Sequence, residues 1–246
     1  MSEMTGVIVT RAEPGATETA RFLAAHGVTV LKTPALDIRL HELEADWAPI
    51  NGEKLIFTSA NGVRCYKEAG WSRDGFAVCV GPATTAAASE AGFQNLQNTN
   101  GDADQLVAEI IGCWHPGEDR FVHYANDAAA GDVCRRLQEA GFAARFVPLY
   151  GARPVPWAQV QFVWQSVQAN RDVLLIHSAK AAEAVKDWLG QAQLDTKNMK
   201  LVGISERAVR PLMGLEWHCV ERAEQPNEMK LMEALQIALE AGVSSS

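Results

Sequence analysis

The sequence predicts an α/β protein of two similar domains, each a parallel sheet flanked by helices. Three observations carry that expectation. Short apolar runs alternate with segments of helical period along the chain. The order of these segments occurs twice, over roughly 5–115 and 119–240. Two runs also stop in the same way, LIFTSANGV at 55–63 and LLIHSAKAA at 174–182, each at a Ser followed by small residues.

The elements follow in order. A strand is expected at 6–10, then a helix over 13–27. In that helix Ala16, Ala20, Leu23 and Ala24 read as one face, Pro14 stands near the start and Gly27 closes it. Strands are expected at 28–32, 54–58 and 76–80. A helix over 101–112 carries Leu106, Val107, Ile110 and Ile111 before Gly112. Further strands fall at 120–124 and 143–149, and an amphipathic segment holds Trp157 and Trp164. Strands at 172–177 and 200–204 follow. Pro211 should shorten or kink the helix after Ser205. The last strand is placed at 217–220, and a helix over 226–242 carries Leu231, Leu235, Ala238 and Leu239 before Gly242. Gly70, Gly92, Gly141 and Gly190 are expected just past helix ends, where a left-handed backbone suits glycine. The terminal VSSS is expected to be disordered.

The repeat can be followed residue by residue. VIVTR (7–11) aligns with FVHYA (121–125), and VTVLKTP (28–34) with FAARFVP (142–148). VCVGPATTAAASEAG (78–92) lies over KLVGISERAVRPLMG (200–214), matching Gly81 to Gly203. The period is too long for a solenoid and suits duplicated domains.

Composition bounds the function. The 246 residues are 48% hydrophobic with a formal net charge of −8, an ordinary globular balance. No apolar run approaches the roughly 20 residues of a membrane span, and no signal peptide is visible at MSEMTGVIVTR. The five cysteines are scattered without a CxxC and read as reduced thiols of a cytoplasmic protein. Cysteine and histidine spacing predicts no metal site. Without a Lys/Arg-rich block, a nucleic-acid partner is not expected.

Ligands of open parallel sheets bind beyond the carboxyl ends of the strands. The residues there are Thr10-Arg11, Thr58-Ser59-Ala60-Asn61, Gly81-Pro82-Ala83-Thr84, Ser178-Ala179-Lys180 and Gly203-Ile204-Ser205-Glu206-Arg207. Small side chains let a ligand approach the backbone, and helix-starting N–H groups can meet an anion. Each Ser or Thr is equally readable as a helix N-cap. There is no GxSxG elbow or P-loop, and TRAEPG after the first strand cannot make a dinucleotide turn.

Several of these segments together resemble the uroporphyrinogen-III synthase family. VIVTRAEPGATETARFLAAHGVTV resembles its opening, LIFTSANGV its FTS-x-N-G-V motif and VCVGPATTAA its VG-x-x-T-A motif. AGFAARFVPLYGARP resembles the segment carrying a family tyrosine, here Tyr150; LLIHSAKAAEAV resembles the second Ser-bearing strand end, and GISERAV a bacterial variant. The sequence departs from the family at His177, where a Thr often stands, and at Glu206, which occupies the repeat equivalent of Thr84. It departs again over 124–132, which lacks an Arg-Gly.

The resemblance implies two α/β domains joined by a two-stranded connection, with a cleft between them. Mapped here, one domain is 1–35 plus 153–246 and the other 36–149, with crossings at 33–38 and 148–154. It implies cyclisation of hydroxymethylbilane, a linear tetrapyrrole, with loss of water and inversion of the terminal pyrrole through a spiro intermediate. No cofactor is implied. Tyr150 would donate the proton to the departing hydroxyl. Arg11, Ser59, Asn61, Gly81, Thr84, Ser178, Lys180, Ser205 and Arg207 would bind substrate, with Arg64 a further candidate cation. The family points to a monomer, with a transient contact to the preceding pathway enzyme. The alternative is a non-catalytic two-lobed α/β protein, a divergent paralogue that binds an anionic small molecule.

Overall fold

The computed structural model describes residues 6–129, 131–167 and 172–241. The expected stop at Gly242 and the VSSS tail lie outside them. In chain order the first elements are β1 (Gly6–Val9), α1 (Gly15–Ala25), β2 (Thr29–Lys32), β3 (Leu36–Leu40), β4 (Glu53–Phe57), α2 (Ala60–Glu68), β5 (Phe76–Cys79), α3 (Pro82–Ala91), β6 (Asn95–Asn98) and α4 (Ala103–Cys113). They are followed by β7 (Arg120–Asn126), α5 (Asp132–Glu139), β8 (Ala143–Pro154), α6 (Trp157–Trp164), β9 (Val173–Ile176) and α7 (Ala179–Ala192). The last are β10 (Lys200–Gly203), α8 (Glu206–Val209), β11 (Cys219–Arg222) and α9 (Glu228–Glu240). Pro211 sits in a 3-10 turn directly after α8, so the helix following Ser205 is short.

The chain forms two compact units, Met1–Asp37 with Arg153–Ser246, and Ile38–Ala152. In the first, a five-stranded sheet runs β11-β10-β9-β1-β2, parallel at each pairing. One face buries Val7, Val9, Val173, Leu175 and Val202 against Ala16 and Leu23 of α1 and Leu231, Leu235 and Ala238 of α9. Ile8, Leu174, Ile176 and Leu201, which alternate with them, are fully buried on the opposite side of the pleat.

In the second unit the six-stranded sheet runs β3-β8-β7-β4-β5-β6. Leu55, Phe57, Ala77, Cys79, Val122 and Tyr124 face Val63 and Tyr66 of α2 and Ala87, Ala88 and Ala91 of α3. Ile56, Val78 and Phe121 face the other way, onto Leu106, Val107 and Ile110 of α4 and Val133 and Leu137 of α5. Both faces are covered, so these strands are continuous apolar runs. Phe57, Tyr66, Phe93 and Tyr124 form an aromatic nucleus with ring centroids 5.0–6.2 Å apart.

Strand order makes the duplication visible. β6-β5-β4-β7-β8 repeats β11-β10-β9-β1-β2. The five-stranded sheet therefore takes three strands from one half of the sequence repeat and the six-stranded sheet four, each with a βαβ piece from the other half. The unit boundaries fall inside β3 and β8.

Several expectations need correction. β3 (LDIRL) and β6 (NLQN) fall where no strand is expected; both are sheet edges whose polar residues break the apolar run. β8 runs on to Pro154, and the last strand lies at 219–222 rather than 217–220. In α1 the buried residues are Gly15, Ala16, Thr19 and Leu23, while Ala24 is exposed. Spacings 16-19-23 and 16-20-24 fit a helix equally well, and only the neighbours choose between them. Ile111 is 46% exposed, and Gly112 lies inside α4. Gly70, Gly92 and Gly141 have positive φ, but Gly190 does not. Instead Gln193 closes α7 at φ 50°, letting Leu194 N–H reach the Leu189 carbonyl at 3.2 Å.

Two expected outcomes follow from packing. A Cβ on Gly203 would run into Val209 Cγ1, a short branched side chain with no room to swing, whereas a Cβ on Gly81 would meet nothing within 4 Å. Gly203→Ala should cost about 1–3 kcal/mol in urea unfolding, while Gly81→Ser, which adds a capping hydroxyl, should hold or raise stability. His123 is 2% exposed, and burial pushes its imidazole down to about 4 from an ordinary 6.5. A depressed histidine pKa means the unfolded chain takes up the proton first. Its contribution is complete above pH 6.5 and is lost as pH falls to about 4. His123→Gln should flatten the urea midpoint against pH across that window; an unchanged slope would contradict the assignment.

Candidate functional site

Parallel pairing brings the carboxyl ends of each sheet to one edge. In the second unit, Ser59 ends the loop after β4 with extended backbone and caps α2, its Oγ accepting from Asn61 N–H at 3.2 Å. Asn61 Oδ1 accepts from exposed Arg64 Nη1 at 3.0 Å. A Cβ on the next residue, Gly62, would lie 2.8 Å from the Tyr124 carbonyl oxygen of β7. Glycine is thus what seats the first turn of α2 against the sheet, a packing reason for the N-G-V part of the motif.

Tyr150 lies in β8 opposite Asn126 of β7 and is 4% exposed. Its ring lies beside the first turn of α2, where a Cβ on Gly62 would come 3.7 Å from Tyr150 Cε1. Burial pushes the Tyr150 pKa up, the neighbouring Ser59 hydroxyl opposes this, and the charge of Asp127 adds to the rise. Asp127 Oδ2 is 3.3 Å from His41 Nε2, and the two meet over Gly151, where a Cβ would come within 2.9 Å of that oxygen. One strand away, Thr58 Oγ1 is 3.0 Å from Nε2 of buried His123. Gly81 caps α3 through its backbone; Pro82 follows at the first helical position, and Thr84 is 6% exposed in the first turn. Ser59, Asn61 and Tyr150 are therefore gathered at one strand end, and Gly81 and Thr84 stand at the end of the neighbouring strand β5.

In the first unit, Thr10 is fully buried and its Oγ1 donates to the Leu175 carbonyl at 2.8 Å, tying β1 to β9. Arg11, next along, is half-exposed and its Nη1 lies 3.2 Å from Glu228 Oε2. Ser178 caps α7 and Ser205 caps α8, accepting from Ala181 and Ala208 N–H, each at 3.2 Å. Lys180 and Arg207 are exposed, and Glu206 is ion-paired with Arg222 at 2.5 Å. The capping reading holds for Ser59, Ser178 and Ser205 alike. A capping Ser uses an oxygen lone pair and keeps its hydroxyl hydrogen to donate elsewhere, so capping and anion contact are compatible.

Sequence reasoning missed the partners. Glu228 Oε1 accepts from Thr19 Oγ1 at 3.0 Å, and its Oε2 lies 3.5 Å from His177 Nε2. Burial raises the Glu228 pKa, but His177, Arg11 and Thr19 outweigh it and hold the carboxyl below its usual value. Thr19 and Glu228 are 209 residues apart, and His41 and Asp127 are 86 apart, so no local pattern announces either pair. The available signal is positional: Glu228 follows the cap residue Asn227, which sets it in the first turn of α9.

Among the described residues no helix is long and apolar enough to cross a membrane. No group of His, Cys, Asp and Glu side chains among them is gathered as for a metal ion.

The chain was compared with known proteins. No curated protein matches it. Among solved structures it is similar to the uroporphyrinogen-III synthetase of Helicobacter pylori, with TM-score 0.61 and 14% identity over 96% of this chain and 100% of that one. It is also similar to a mutant uroporphyrinogen III synthase of Thermus thermophilus, with TM-score 0.51 and 15% identity over 97% of this chain and 100% of that one. At such identity these two establish the shared fold. The family model of uroporphyrinogen-III synthase HemD matches residues 17–233, most of the chain; Thr10 and Arg11 precede the matched segment. The chain belongs to the uroporphyrinogen-III synthase HemD family, and with it to the enzymes of tetrapyrrole synthesis.

Proposed function

We propose that the chain converts hydroxymethylbilane to uroporphyrinogen III as a cofactor-free, cyclising hydro-lyase, with the strand-end residues as its working groups. Family membership supports the reaction. The observation that carries the residue assignment is Tyr150, buried at the strand ends beside the first turn of α2 and kept protonated by that burial.

The chemistry asks for a proton at the departing hydroxyl and for a fixed substrate. Tyr150 serves the first need. A phenol whose pKa is raised remains a hydrogen-bond donor throughout the neutral range. As water leaves, the carbon becomes an azafulvene-type cation, which the terminal pyrrole attacks through its substituted carbon. Rejoining from the spiro intermediate inverts that ring. Binding serves the second need. The hydroxyls of Ser59, Thr84, Ser178 and Ser205, the backbone at Gly81, the amide of Asn61 and the cations Arg11, Lys180 and Arg207 take the substrate's carboxylates. Holding both ends of the linear chain in place favours the spiro route over direct closure, because orientation is supplied in advance. The working form is a monomer in the cytoplasm.

Hydroxymethylbilane generated in situ, with purified protein added and the oxidised products separated by chromatography, should yield porphyrin isomer III in proportion to protein. Isomer I at the spontaneous rate, from protein that is demonstrably folded, would overturn the proposal and favour a binding protein. Tyr150→Phe should lower kcat on the order of a hundred-fold with little change in KM. A KM effect alone would make Tyr150 a binding residue instead.

A further inference from the structure

Arg11 is held in place by more than its own rotamer. A Cβ on Gly15 would fall against Arg11 Nε and within 2.8 Å of its Cδ and Cζ. The guanidinium therefore lies across the start of α1, in space that any side chain at residue 15 would occupy. From the other side, Glu228 Oε2 takes Arg11 Nη1 at 3.2 Å. Glu228 cannot swing freely, because Thr19 Oγ1 donates to its other oxygen at 3.0 Å and Asn227 caps the helix that carries it. Gly15 has no positive φ, so backbone conformation does not account for its lack of a side chain.

We infer that Gly15 and Glu228 are positioning residues that form a cradle for Arg11, fixing its guanidinium so that the remaining N–H donors face a carboxylate of the substrate. The inference rests on the proposed role of Arg11 in binding. An arginine fork gains its specificity from orientation, since two parallel N–H bonds to a carboxylate need a fixed plane. Among the described residues the ion pair to Glu228 engages one guanidinium nitrogen, Nη1, of a group that carries five N–H donors. Both side chains are partly exposed, 38% for Arg11 and 44% for Glu228, so the pair contributes little stability and its effect lies in geometry. Beside Arg11 and Glu228 an apolar groove of about 840 Å³ runs between α1 and α9, past Phe22, Leu23, Met232 and Leu239. Arg11 lines this groove together with the carboxylates of Glu18, Glu228 and Glu233, so its fixed guanidinium is what a ligand with carboxylates on an apolar frame would have to meet there.

The test separates position from fold. Alanine is a better helix residue than glycine, so Gly15→Ala should leave Tm unchanged or raise it. It should nonetheless raise KM for hydroxymethylbilane roughly ten-fold with kcat nearly unchanged, the loss of about one charge-assisted contact. Arg11→Ala should raise KM at least as much, and Gly15→Ala should add nothing in the Arg11→Ala background. Glu228→Gln should also raise KM; a lowered KM would make Glu228 a competitor for Arg11 and overturn its role as a bracket. If Gly15→Ala leaves KM alone while Arg11→Ala raises it, the cradle fails and the binding role of Arg11 stands. If Arg11→Ala itself leaves KM alone, the binding role fails and the cradle with it.

Discussion

Two parallel strand pairings govern everything else in this molecule: β1 with β9, and β4 with β7. The first sets Val7 beside Val173 and the second sets Ile56 beside His123. Each joins segments from different halves of the sequence repeat, and so builds one sheet from two distant pieces. Polar groups secure the first junction. Asp172, 4% exposed, accepts from Gly6 N–H at 3.0 Å, and Thr10 Oγ1 closes the other end onto the Leu175 carbonyl. A buried carboxylate without such a partner would be costly. Here the partner is the backbone of the strand being paired, so polar satisfaction and register are one requirement. Because every strand in these junctions is parallel, the loops carrying Ser59, Gly81, Arg11, Ser178 and Ser205 reach the carboxyl edges of their sheets.

Glycine does different work in the two copies of the repeat. Gly203 and Gly81 occupy matching positions, yet only Gly203 has a neighbour, Val209, that excludes a side chain. At Gly62 the excluded volume is the Tyr124 backbone carbonyl, and its absent side chain lets α2 start close against β7 and the ring of Tyr150. At Gly15 the excluded volume is the Arg11 side chain. The same residue type thus serves packing, access and positioning, and only the neighbouring atoms distinguish these.

On the proposed reading, a chain of net charge −8 must bind an anionic substrate. Its cations are not massed in a basic stripe. Several are committed to carboxylates within their own unit, as Arg145 is to Glu53 and Lys54 to Asp119. Attraction for an anion must then arise locally, from capped helix starts and a few cations at the strand ends. An arrangement of that kind depends on orientation more than on net charge, which is the physical ground for the proposed cradle around Arg11.

By itself the sequence determined the α/β class, the duplication, most strands and helices, and the loops that carry the candidate site. These are legible because they rest on local periodicity, on Ser caps and on glycine stops, all readable within a dozen residues. The short helix before Pro211 was legible for the same reason. Tertiary structure alone decided the rest. The edge strands β3 and β6 exist because a neighbouring strand supplies their hydrogen bonds, not because their own residues demand extension. The buried face of α1 was settled by what it packs on, since two faces had equal helical spacing. The contacts of Glu228 with Arg11, Thr19 and His177, of His41 with Asp127 and of Tyr150 with the backbone at Gly62 join residues far apart in the chain. No spacing rule encodes such contacts, because their geometry comes into being only when the strands that carry them are paired.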